Sequence, residues 1–157
     1  MWIDSNEGDL VPKHRKAFDW LSMALENLEE AFESFKNKRY ASAVFHAELS
    51  AQKAIKALIV ALGFEPGKTH RPTLVLKALI AGGLVDLKEN LMRKLDEAVT
   101  YAIVLEDQGT TPRYGWETID RIIKPSEIYS REIANALLGN AKRVYELVKE
   151  LFGEIDC

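Results

Sequence analysis

Arg113, Tyr114, Trp116 and Arg121 crowd one short stretch of the chain and have the side chains found where a protein meets a nucleotide or an RNA. An arginine fork takes a phosphate through two parallel hydrogen bonds, and an aromatic ring stacks on a base. The same residues would also serve to pin the stretch onto the body of the protein, so both readings stand. Upstream, Lys53 and Lys56 add two cationic groups. Arg39, His46 and Lys53 follow one another at intervals of seven, which on a helix makes a single column. Seven residues rise about 10 Å along the axis, so Arg39 has to reach along the helix before it and His46 touch one phosphate. A solvated basic flank is the plainer account of that column. The alternative is a metal-independent endoribonuclease, with His46 as general acid or base and Arg39 stabilising a phosphorane-like transition state.

The three histidines, His14, His46 and His70, are too widely spread for a helical zinc site, and no cofactor or metal is implied. The run Gly63-Phe64-Glu65-Pro66-Gly67-Lys68-Thr69 resembles a phosphate-binding P-loop only superficially. That loop needs four residues between its glycines and a preceding strand; this one has three and follows a helix.

Long helices must position these groups. Between Arg39 and Leu62, the residues Tyr40, Ala43, Val44, Ala47, Ala51, Ala54, Ile55, Leu58 and Leu62 share one face, small in the middle and large at the ends. A neighbouring helix can therefore approach closely at its centre. Phe45, Leu49 and Val60 lie on the other side, so that back face is covered by another helix of the chain or by a second copy. Before it, Ala17, Leu21, Ala24, Leu28, Ala31 and Phe35, widened by Trp20, Leu25 and Phe32, predict a helix from Pro12 to about Lys36, folded back as a hairpin by Asn37-Lys38. Gly63 ends the second helix, and Pro72 opens a short third one, stopped by Gly82-Gly83. Asp86 and Glu89 have capping-box spacing ahead of a fourth helix through Leu105. About 18 aperiodic residues follow, long enough to be functional, mobile or folded into a turn of their own. A last helix opens near Pro125 or Ser126 and carries Ile133, Leu137, Ala141, Val144, Val148 and Leu151. No sustained alternation predicts a β-sheet. The expectation is an all-α, five-helix up-and-down bundle over residues 12–157, with residues 1–11 as a flexible arm.

A chain of 157 residues, 47% hydrophobic and 29% charged, has the composition of one ordinary domain. Its net charge of −3 argues against bulk nucleic-acid binding through a generally basic surface, while leaving room for a local basic patch. The only cysteine, Cys157, excludes an intrachain disulfide and suits a reducing cytoplasm. The longest uncharged apolar run, Ala57 to Phe64, falls far short of the roughly 20 residues needed to span a bilayer.

Tyr40-Ala41-Ser42-Ala43, then Gln52-Lys53-Ala54-Ile55-Lys56-Ala57-Leu58, Thr69-His70 and Arg113-Tyr114, in that order, resemble the HEPN domain family over roughly residues 13–152. The resemblance implies a bundle of about five helices, commonly a homodimer, often encoded with a minimal nucleotidyltransferase, and tied to nucleotide or RNA chemistry in toxin–antitoxin and defence systems. The family's ribonuclease branch carries an arginine and a histidine separated by four to six residues in the later half of the domain. Here no histidine follows Arg113, and Arg39 with His46 meets the spacing only in the second helix. A branch with an Ala-Arg-Tyr-Pro-Asp segment is nearer, matched here by Arg113 and Tyr114. The reading is a non-catalytic binding module for a nucleotide or RNA, with Lys53, Lys56, Arg113, Tyr114 and, if the third helix starts on that side, His70 converging on a cationic cleft. A purely structural assembly protein is the remaining alternative.

Overall fold

The computed structural model describes the backbone of residues 12–155 and the side chains of residues 15–155. The expected N-terminal arm, the side chain of His14 and Cys157 lie outside these. The chain forms α1 (Pro12–Lys36), α2 (Tyr40–Ala61), α3 (Pro72–Ala81), α4 (Glu89–Glu106), α5 (Thr111–Tyr114), β1 (Trp116–Glu117), β2 (Ile122–Ile123), α6 (Pro125–Ile128) and α7 (Arg131–Ile155). It is an all-α bundle in which α1, α2, α4 and α7 are the long helices and α5 and α6 are single turns.

The second helix is the hub, packing on α1, α7 and α4 and also touching α3, α5 and α6. Its small-residue centre explains this: Ala43, Ala47, Ala51 and Ala54 are buried, and the Ser50 hydroxyl donates to the Ala24 carbonyl of α1 at 2.8 Å. A bond that short between a side chain and a neighbouring helix's backbone requires the two axes to run close. Ile55, Leu58 and Ile59 then meet Leu95, Leu105, Leu138, Leu147 and Leu151 to form the continuous core. The α1–α2 hairpin turns at Lys38, the only non-glycine residue with positive φ (62°) among those described. Gly63 (φ 100°) and Gly83 (φ 74°) end α2 and α3 in paired backbone bonds, the amides of Gly63 and Phe64 reaching the Val60 and Ile59 carbonyls and those of Gly83 and Leu84 reaching Ile80 and Leu79.

Several expectations are corrected. The aperiodic stretch holds α5 and a two-residue antiparallel ribbon, Trp116 opposite Ile123 and Glu117 opposite Ile122, so the molecule is not wholly free of β-structure. Asp86 does not cap α4, because Lys88 is still extended (φ −58°, ψ 154°) and Glu89 is already the first helical residue. The last helix does not run continuously from Pro125: Tyr129 breaks it by turning into the core, where its hydroxyl donates to Gln108 Oε1 at 2.9 Å. Ile133 is consequently exposed, while Ala134 and Leu138 take the inward positions. On α1, Trp20 is half-buried, but Leu25 and Phe32 face outward. On the back face of α2, Val60 is buried within the chain, whereas Phe45 and Leu49 stay partly exposed and line a cleft beside α5. No helix of the described residues is long and apolar enough to cross a membrane.

Candidate functional site

The cleft beside α5 has a volume of about 270 Å³ and is lined by Phe45, Glu48, Leu49 and Gln52 of α2, His70 and Arg71 before α3, Glu106 of α4, and Gly109, Thr110 and Arg113. Local sequence explains how α5 comes to roof it. Pro112 suits the first turn of a helix and is buried, and Gly115 ends the turn at φ 71°. The chain then enters the ribbon, whose Arg121 makes bonds of 2.8 and 3.0 Å to the Glu127 carboxylate, while Glu127 also accepts the Lys124 amide at 3.0 Å. Arg121 is thus an anchor of this segment.

Arg113 is differently placed. Its guanidinium carbon lies 5.2 Å from the Phe45 ring centre and 5.4 Å from that of Tyr114, so the cation rests against two aromatic rings. No carboxylate of the described residues lies within ion-pairing distance of it. A guanidinium held through its face keeps its in-plane N–H donors for something else. Tyr114 is 67% exposed beside it, and His70 is exposed at the cleft wall.

The floor is acidic. Glu48, only 6% exposed, receives a single long hydrogen bond, from Gln52 Nε2 at 3.4 Å. Burial pushes its carboxyl up to about 7, opposed by the charge of Arg113 and the Gln52 bond and reinforced by Glu106. Glu106, at 3% exposure, is better satisfied, accepting the Thr73 amide at 3.1 Å and the Thr73 hydroxyl. Burial still raises its pKa, with the Thr73 bonds and Arg71 acting the other way. Arg71 is engaged by Asp107 at 2.7 Å and stands 3.6 Å from Glu106. Tyr129 is pushed to about 12, first by burial and then by the charge of Glu48.

Among the residues expected to converge, His70 and Arg113 line this cleft, and Tyr114 stacks at its edge. Lys53 and Lys56 do not line it, because both turn to α1. Lys53 Nζ donates to Asn27 Oδ1 at 2.6 Å, and Lys56 Nζ lies 5.2 Å over the Trp20 ring, its pKa lowered by burial and then by Lys53. His46 belongs to the same flank: its buried Nδ1 makes no hydrogen bond, and Glu30 Oε1 is 3.6 Å away. That oxygen also accepts from Asn27, at 2.9 Å. Arg39 is exposed just ahead of α2. Sequence reading missed Glu48, Arg71 and Glu106 as parts of one site. For Glu48 a signal existed, an acid between Phe45 and Leu49 on an otherwise apolar face of a deeply buried helix.

Comparison with known proteins finds relatives of the chain. The model of the HEPN domain family matches residues 17–151. A protein of Methanocaldococcus jannaschii named "Putative toxin MJ1304" is 27% identical over 142 residues, covering 90% of each chain. Among solved structures, TT1696 from Thermus thermophilus superposes with a TM-score of 0.66 at 29% identity, covering 87% of this chain and 98% of that one. ST0689, described as an archaeal HEPN homologue, superposes with a TM-score of 0.61 at 25% identity, covering 89% and 98%.

Proposed function

The chain belongs to the HEPN domain family, and from that premise we propose that it is a toxin–antitoxin-type HEPN component that holds a nucleotide or RNA phosphate at Arg113 without cleaving it. The reading makes it a cytoplasmic homodimer that works with a minimal nucleotidyltransferase. The name of the M. jannaschii relative supports the toxin–antitoxin setting. The observation that carries the binding role is Arg113, stacked against Phe45 and Tyr114 at the wall of a cleft and within ion-pairing distance of no carboxylate among the described residues. On a chain of net charge −3 Arg113 is a cation at the cleft wall above an acidic floor, placed to take a phosphate at the cleft mouth. The non-catalytic part rests on the other flank, where His46 is turned to Glu30 of α1 and is not among the residues lining the cleft.

Titration of nucleotides and short single-stranded RNA against wild type and Arg113→Ala tests this directly. Loss of a charged hydrogen-bond donor predicts binding weaker by about tenfold or more. Affinity should also fall as salt rises. Thermal stability should change little, by roughly 0.5 kcal/mol or less for an exposed side chain. Unaltered binding with a large stability loss would make Arg113 a structural anchor. RNA incubated with the protein in EDTA is expected to stay intact; cleavage that disappears in both His46→Ala and Arg39→Ala would replace this reading with the endoribonuclease.

A further inference from the structure

A cleft that held only phosphate would have no use for Glu48. Its carboxyl is nearly buried, opens into the same cavity as Arg113 and has one weak bond, from Gln52 at 3.4 Å. Burying a carboxylate with so few donors is costly, and the free protein meets the cost by letting it titrate near neutrality, at about 7. Arg113 favours the carboxylate through its charge but stands beyond ion-pairing distance of it, and the remaining neighbours closest to hand are committed or wrongly charged. Arg71 is engaged by Asp107, Glu106 repels, and the Tyr129 hydroxyl donates to Gln108. What Glu48 lacks is a pair of N–H donors within hydrogen-bond reach, and a ligand seated in the cleft can supply them.

Resting on the phosphate-binding reading above, we propose that the cleft selects a guanine nucleotide, with the Glu48 carboxylate accepting the base's N1–H and exocyclic N2–H while Arg113 holds the phosphate. Among the four RNA bases only guanine presents two adjacent donors on its Watson–Crick edge. Adenine and cytosine set a donor beside an acceptor, and uracil sets one donor between two acceptors. Two parallel N–H groups facing two carboxylate oxygens repeat the bidentate geometry of an arginine–carboxylate pair. The Gln52 amide, one turn along α2, can then turn a donor from Glu48 to guanine O6. Phe45 and Leu49 supply apolar wall, and Thr110 a hydroxyl near the opening. The volume, about 270 Å³, sits just under the roughly 300–1,000 Å³ of small-molecule pockets, which suits a single base. The proposal applies equally to a free nucleotide and to a guanosine unstacked from single-stranded RNA, since the recognised edge is the same.

Calorimetric titration of the full chain with GMP, AMP, CMP, UMP and inorganic phosphate at pH 8 decides it. GMP should bind at least about tenfold more tightly than the other three, the discrimination expected of one bidentate pair. In Glu48→Gln, which keeps the shape but offers one acceptor and one donor, that preference should disappear, while inorganic phosphate binds no more weakly than to wild type. Four nucleotides bound equally, each weakened by Arg113→Ala, would overturn guanine selection and leave the phosphate reading standing. So would a GMP preference that survives in Glu48→Gln. No binding of any nucleotide or of phosphate would overturn both. Wild-type selectivity alone decides the matter if Glu48→Gln does not fold, and parallel titration with 5′-guanosine- and 5′-adenosine-ended trinucleotides shows whether the guanine is read free or within RNA.

Discussion

Glu48 leaves a signature in the free protein as well. Its carboxyl titrates near 4.5 in an unfolded chain and at about 7 in the fold, with burial the largest cause. Below 4.5 it is neutral in both states and contributes no pH dependence. Between 4.5 and 7 the folded protein keeps a proton that the unfolded chain has released, so stability falls as pH rises through that window and levels off above it. The size is on the order of 3–4 kcal/mol at about 1.4 kcal/mol per unit, or a drop of roughly 7–14 °C in melting temperature for a chain of this length. Glu106 is shifted in the same direction and adds to the slope. Melting wild type and Glu48→Gln from pH 4.5 to 8 should show wild type losing stability more steeply, with the variant retaining the part due to Glu106; parallel profiles would mean that Glu48 is solvated. At this scale the sequence was legible where a residue type speaks for itself, as with Arg113 and Tyr114 in an aperiodic stretch. It was silent on Arg71 and Glu106, because what defines them, Thr73 and Asp107 at the α3–α4 junction, is tertiary.

At the scale of elements, Arg113 depends on a device the helical period does not reveal. Long helices announce themselves through many residues on one face, so α1, α2 and α3 lie close to where their spacing predicts. A two-residue strand has no alternation to read, and the β1–β2 ribbon escapes for that reason. Yet the ribbon fixes the end of α5. Gly115 sits at φ 71°, and a Cβ there would run into the Ile123 carbonyl of the opposite strand. Both facts demand glycine: the left-handed conformation disfavours a side chain, and the neighbour is backbone that cannot turn aside. Gly115→Ala should therefore displace the ribbon and Tyr114, and with it the stacking of Arg113. The expected result is weakened nucleotide binding approaching that of Arg113→Ala, with helical circular dichroism preserved, since α2, α4 and α7 meet elsewhere. If binding is unchanged, the ribbon does not position the arginine.

At the scale of the molecule, the proposed homodimer needs a surface, and α1 offers a second candidate besides the back face of α2. Phe45, Leu49 and Val60 were the residues the sequence offered, because a hub helix with apolar residues on both sides reads as more than one small bundle can cover. The inserted α5 and its neighbours cover part of that face and Val60 is buried, while Phe45 and Leu49 remain partly exposed at the cleft. Among the long helices, α4 and α7 each expose one large apolar side chain, Val104 and Ile133, whereas α1 exposes three, Phe18, Leu25 and Phe32, at 47%, 37% and 43%. Their spacing of seven places them on one face, over a rise of about 21 Å. Phe18 is already steadied by an edge-on contact with Phe152 of α7, ring centres 5.4 Å apart. A stripe centred on one residue, Leu25, is self-complementary when two copies meet antiparallel across a two-fold axis, which is the property an isologous interface requires. Light scattering should then give twice the 17.7 kDa chain mass at micromolar concentration. Leu25→Glu and Phe32→Glu, on a face the fold itself does not bury, should give monomers with near wild-type melting when dilute and an unchanged nucleotide cleft on the opposite flank of α2. A wild-type monomer across that range would remove the homodimer, and a dimer indifferent to both substitutions would move its axis away from α1.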